Sequence, residues 1–363
     1  MWIFLFCFAV TPSLICAAET TESDSLERRE KVQLKSFFLK SVGSAQMPTT
    51  PMSVELYNQA VDYFQANEYA LARQALEKSL DLDDANAFSY ELMGDLDNNQ
   101  QDLDSAREHY QIAYNLNPVD RIRKKLEKLG KEKAVDKKLS TYAEEHFIIK
   151  YQKDENRPVE GFELRELLRT TYRNLSKDFA YYFKHKVVVL LYDEADFKQV
   201  TEAPHWVTGL YDGKVRMPIN KKGFSDQDLK SLTAHEVSHA FVAAMSSGKA
   251  PAWINEGLAV YEQNKIKSRG MRLFNKYARQ GKLFSLDELT AGSGPMSLKD
   301  QDRINLFYSQ SFHLVRYLIH RYKMFRVKEM LQAYGNGKNS EEVIREVLKL
   351  SMARLEREWL ETV

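Results

Sequence analysis

Only two cysteines occur in the 363 residues, Cys7 and Cys16, and both fall within the first eighteen positions. A chain cleaved after Ala18 has no thiol for a disulfide or a thiolate metal ligand, so any metal it holds must rest on histidine, aspartate or glutamate. An excess of one charge is also missing, since 52 Lys and Arg face 51 Asp and Glu. No basic field exists to gather phosphates, which excludes nucleic acid as an expected partner. After the start, no run is apolar and long enough for a membrane span. What is present is 44% hydrophobic composition over a length that can bury a sizeable core in two or three domains.

The first eighteen residues, "MWIFLFCFAVTPSLICAA", form an apolar run of signal-peptide length, ending in small residues at Cys16-Ala17-Ala18. The run lacks a starting lysine or arginine, so a short uncleaved anchor is the alternative reading of 1–18. Ser13-Leu14-Ile15 offers no small residue before Cys16, which argues against lipidation. The expected destination is export, to the periplasm, the medium or the cell envelope. Residues 19–52 are polar and Ser/Thr-rich with prolines at their end, the composition of a flexible linker.

Residues 53–133 carry a repeat. Ser53 to Asn86 and Ala87 to Asp120 are consecutive 34-residue units. Tyr90, Gly94, Ala106 and Tyr110 in the second stand 34 residues after Leu56, Ala60, Ala72 and Leu76 in the first, and Tyr63 in the first unit with Ala113 and Pro118 in the second add to the pattern. The pattern resembles the tetratricopeptide family, in which small residues let paired helices approach and large ones fill the next groove. "RIRKKLEKLGKEK" after Asp120 reads as a capping helix. The resemblance implies a surface for a protein partner; a packing and spacing module is the competing reading.

From about 140 to 363 the pattern becomes a second domain of mixed strands and helices, so the expected fold class is α+β behind an all-α repeat. "EHFIIKYQ" and "KVVVLLY" read as strands, with the amphipathic helix "VEGFELRELLRTTYRNLSKDFA" between them. "GLYDGKVRMPIN" reads as a strand pair turning at Asp212-Gly213, and everything after Ser225 reads as helical.

The chemistry centres on "AHEVSHAF". Ser225 with Asp226 and Asp228 starts a helix, and Gly248 and Pro251 close it near 247. On that helix His235 and His239 are one turn apart on one face, where two imidazoles can converge on a zinc ion. Glu236 beside the first histidine is placed to take a proton from attacking water. The alternative is a pair of core histidines satisfied by backbone or tyrosine. Catalytic zinc wants a third protein ligand, and "PAWINEGLAVYE" supplies Glu256, with Glu262 as the fallback.

HExxH followed by an Asn-Glu-Gly-Leu-Ala helix resembles the gluzincin metallopeptidases of the thermolysin-like clan, and their peptidase MA-like members in particular. That resemblance implies one Zn2+ per chain held by His235, His239 and Glu256, with Glu236 as the base and Gly257 permitting close helix packing. It also implies a downstream residue for the oxyanion, Tyr308 first and His313 second. By the same resemblance, an edge strand near Gly209 to Ile219 pairs with an extended polypeptide substrate, and Trp206 and Tyr211 wall the cleft. No Gly-x-Met-Glu-Asn element precedes the motif, which favours an endopeptidase over an aminopeptidase. Two rival readings are an inactive scaffold that binds partners through its repeats and a zinc hydrolase of another amide or ester.

Overall fold

The apolar run Val187–Tyr192 forms a strand buried on both faces, and the rest of the fold is arranged around it. The computed structural model describes residues 51–152, 161–204, 207–219, 225–268, 272–291 and 294–363. The leader reading of 1–18, nearly all of the linker and Trp206 lie outside the described residues.

Five helices come first: α1 (Pro51–Gln65), α2 (Tyr69–Leu82), α3 (Ala87–Asn99), α4 (Leu103–Leu116) and α5 (Asp120–Asp136). One compact unit consists, among the described residues, of 51–57, Leu76–Asn98 and Asp102–Leu129. Within it, Gly94 is tight against a ring: an added Cβ would lie 2.5 Å from Tyr110 Cδ1. Tyr110 donates its hydroxyl to Asp95 at 2.7 Å, and Ser53, Ser79, Ser89 and Asn86 form a buried hydrogen-bond cluster.

The other unit consists of Asn58–Ala75, Asn99–Gln101 and Gly130–Val363. Its sheet is built from β1 (Leu139–Ala143), β2 (Phe147–Gln152), β3 (Val187–Tyr192), β4 (Leu210–Tyr211) and β5 (Val215–Pro218), in the order β1-β2-β3-β5-β4. β2, β3 and β5 run parallel, while β1 and β4 are antiparallel edges. Alternation along β3 explains its composition. Val187, Val189 and Leu191 join the main core with Phe147 and Ile149, and Val188, Leu190 and Tyr192 pack with Phe197 and Val200 on the other face. Phe197 and Val200 belong to α7 (Glu194–Thr201), and α6 (Gly161–Phe179) lies on the main-core side.

After Ser225 the described residues are helical: α8 (Asp226–Ser246), α9 (Ala252–Ile266), α10 (Arg272–Arg279), α11 (Leu286–Ala291), α12 (Gln301–Gly335), α13 (Ser340–Val343) and α14 (Met352–Leu360), with a 3₁₀ turn at Pro295–Ser297 and a π turn at Ile344–Leu348. The predicted start of α8 is a capping box, in which the Ser225 and Asp228 side chains each accept the other's backbone N–H. Ser247 and Gly248, at φ 50° and 69°, end it in the left-handed region. α9 packs against both α8 and α12. At Gly257 an added Cβ would stand 2.6 Å from Ser311 O, so the absent side chain lets α9 and α12 approach. No described helix is long and apolar enough to cross a membrane.

Candidate metal centre

α8 presents His235 and His239 from successive turns, with ring centroids 4.9 Å apart and planes at 86°. α9 brings Glu256 to them: its Oε2 is 3.6 Å from His235 Nε2 and 3.7 Å from His239 Nε2. One ligand atom from each of the three residues falls within 4.8 Å of the others. His239 Nδ1 lies 2.9 Å from Asn255 Oδ1. A carbonyl oxygen only accepts, so Nδ1 carries the proton and Nε2 turns a lone pair toward Glu256. Glu256 Oε2 is buried and has no hydrogen bond. A buried, unsatisfied carboxylate oxygen facing such a lone pair fits a cation, and a two-imidazole, one-carboxylate donor set suits zinc.

Glu236 is 3% exposed and sits under Gly209, where an added Cβ would be 2.2 Å from its Oε1. Gly209 needs no special backbone angle here; space alone demands the glycine. Burial pushes the Glu236 carboxyl up, whereas the imidazoles of His239 and His235 overcome burial at Glu256 and bring that carboxyl down. Two carboxylates in one cleft thus differ in basicity. All four residues line one cavity of about 450 Å³, together with Thr208 to Tyr211, Gln263 and, from α12, Ile304 and Tyr308.

Residues 221–363 match the family model of the Peptidase MA superfamily. The Peptidase MA segment contains His235, Glu236, His239, Glu256 and Tyr308. Together with the site, the match supports a gluzincin-type domain over those residues. Curated proteins yield no match. Among solved structures, the chain is similar to an M1 zinc metallopeptidase from Deinococcus radiodurans at 16% identity and a TM-score of 0.36, over 61% of this chain and 51% of that one. A point mutant of that enzyme bound to a Tyr-Ser-Ala substrate aligns at 14% identity over the same shares, with a TM-score of 0.36. The chain thus spans about half the length of these structures.

Helix geometry sorts the remaining candidates. Tyr308 faces the cavity, but His313, five residues on, is turned away by about 140°. It is buried, stacks on Phe274 at 4.3 Å and accepts the Trp359 indole N–H at Nδ1, 3.0 Å away. It is a core group and does not reach the cleft. Glu262, six residues after Glu256, likewise leaves the ligand face and pairs with Lys265 at 2.8 Å. Tyr211 does line the cavity. Sequence reasoning missed Asn255 and Gln263; the signal for Asn255 was its place beside Glu256 in "INEGL".

The buried His313 yields a prediction. Burial, aided by Arg316, lowers its imidazole to about 4 from an ordinary 6.5. Below pH 6.5 the unfolded chain takes up a proton that the folded one refuses, so stability falls from pH 6.5 toward pH 4, by up to about 3 kcal/mol. Urea melts at pH 7.5 and 5 are expected to show this loss in wild type and a smaller one in His313→Gln. Equal slopes in the two proteins would remove the assignment.

Proposed function

We propose that this chain is a zinc-dependent endopeptidase. The observation that carries the reading is the convergence of His235, His239 and Glu256 within 4.8 Å, with the buried Glu236 beside them. When bound, zinc supplies Lewis-acid polarisation of a carbonyl and a nucleophile usable at neutral pH. Asn255 holds the His239 ring in the tautomer that leaves Nε2 free to ligate. Glu236 accepts a proton from the attacking water and delivers it to the leaving amine, so the carboxylate ends as it began. Tyr308 donates a hydrogen bond to the oxyanion that develops on the carbonyl.

β4 is a sheet edge whose residues line the cavity, which suits main-chain pairing with an extended substrate. The described lining residues include no lysine or arginine to hold a free C-terminal carboxylate. Their one acid outside the site, Glu202, is well exposed and ion-paired with Lys131, a poor anchor for a free amine. Both features favour cutting within a chain. The reading extends to export, supported by the pattern of residues 1–18, and to partner binding by residues 53–133, supported by their 34-residue period.

Elemental mass spectrometry of the purified protein tests the centre. One zinc per wild-type chain and none in His239→Ala is the expected result. A well-folded wild type that takes up no zinc on reconstitution contradicts the proposal.

A further inference from the structure

Gln263 is 4% exposed, lines the cavity of the candidate centre and makes no side-chain hydrogen bond with any described residue. Its amide atoms are therefore accessible from the cavity, where two donors and an acceptor oxygen are open to a ligand. The adjacent Glu262 pairs with Lys265, while Gln263 turns to the cleft. Seven residues separate Gln263 from Glu256 on α9. That interval advances about 10 Å along the axis and returns to within about 20° of the same face. Val260, between them, lines the cavity as well, so the stripe is continuous.

An extended peptide covers about 10 Å in roughly three residues. We infer that Gln263 is a substrate-binding residue that grips one backbone amide of an extended polypeptide, about three residues from the bond that is cut. The inference rests on the peptidase reading above and specifies where its substrate is held. The chemistry matches because a carboxamide can donate to a peptide C=O and accept from a peptide N–H at once. It carries no charge and so selects no charged side chain, in keeping with a cleft that recognises main chain from its edge strand. The complex would then exchange the amide's contacts with cavity water for contacts with the peptide.

The test uses the full zinc-loaded chain carrying Glu236→Gln, to prevent turnover, and an acetylated, amidated octapeptide of alanine, serine and leucine. Binding is measured by calorimetry in this parent and with Gln263→Met or Gln263→Glu added, while cleavage of the same peptide by wild type is followed by mass spectrometry. Methionine keeps the volume and removes both hydrogen bonds; it is expected to weaken binding by about 5- to 100-fold. Glutamate keeps acceptor oxygens and is expected to lose less; it carries the comparison if the methionine variant does not fold. Replacing the peptide amides one at a time by esters should cost affinity at the gripped position in the parent and add no cost there in Gln263→Met. Equal affinities in parent and Gln263→Met, with wild type cutting the peptide, overturn the Gln263 inference alone. A wild type that neither cuts nor binds the peptide overturns the peptidase reading, and the role of Gln263 with it.

Discussion

Glu236→Gln is expected to keep one zinc per chain and to lose peptide hydrolysis by about 10²- to 10⁴-fold. The amide has the shape of the carboxylate and fills the same space beneath Gly209, so the fold and the three ligating residues are left in place. It cannot accept a proton from water at neutral pH, and no other carboxylate among the described cavity residues can replace it. Glu256 lies between the two imidazoles, and Glu202 is held by Lys131. Tyr308→Phe in the same assay is expected to fall between this variant and wild type, because it removes one stabilising donor and leaves the base intact. Zinc content and initial rates, measured side by side, decide the matter. A glutamine variant that turns over within tenfold of wild type would show that Glu236 is not the base.

The second large effect concerns stability. Glu132, on the last turns of α5, is 2% exposed and bonds two fully buried cations, Lys214 at 2.5 Å and Arg216 at 2.8 Å. Arg216 also donates to Asp212 and Tyr192, at 2.9 and 2.8 Å, and Lys214 donates to Gln101 at 3.0 Å. Glu132→Ala removes the one carboxylate shared by both cations, and is expected to destabilise the protein by about 3–5 kcal/mol because two charges stay buried with too few partners. Burial would raise the Glu132 carboxyl, but Lys214 and Arg216 outweigh it and hold the group at about 2. Lys214 is lowered as well, to about 8, which for a cation disfavours the charged form, because burial and the adjacent Arg216 outweigh the pull of Glu132. The consequence for acid follows from the carboxyl: a group depressed in the folded state stabilises above its unfolded pKa, near 4.5, and that contribution drains away as the pH falls from there toward 2. Chemical melts at pH 7 and pH 3 check both statements. A Glu132→Ala protein within 1 kcal/mol of wild type at pH 7 would show that the cations find other partners.

This network also bears on the site. Arg216 and Lys214 belong to β5 and to the turn that joins it to β4, the hairpin whose preceding residue Gly209 covers Glu236. At Gly213, φ is 96°, so the turn expected at Asp212-Gly213 requires glycine for its backbone, and an added Cβ would also have to displace the Asn99 amide 2.6 Å away.

Much of the scaffold of the centre was legible in the residues alone. The capping pair Ser225 and Asp228 marks the start of α8, the period of four places both histidines on one face, and a run of apolar β-branched and leucine residues makes β3. These features are local, set by backbone hydrogen bonds and side-chain spacing along one element. β1 and α7 were not legible: "LSTYA" has no apolar alternation and is mostly exposed, and "EADFKQVT" is a short connection whose helix begins on the Asp193 cap. "KVRMP" reads as an ordinary half-polar strand, yet its lysine and arginine are wholly buried, because only the tertiary fold brings Glu132 to meet them.

The amino-acid order by itself determined that a metal held beyond residue 18 must rest on ligands other than cysteine, that His235 and His239 share a helix face, and that Glu236 stands beside them. The order of preference, Glu256 before Glu262 and Tyr308 before His313, came from the sequence. The tertiary structure alone placed Glu256 against the two histidines and Tyr308 on the cleft, turned Glu262 and His313 away, and brought Gly209, Asn255 and Gln263 to the same cavity. The reason is physical. A helix repeats every 3.6 residues, so spacing can say which side chains share a face, but which face meets a neighbour is settled by burial between helices and strands distant in the chain.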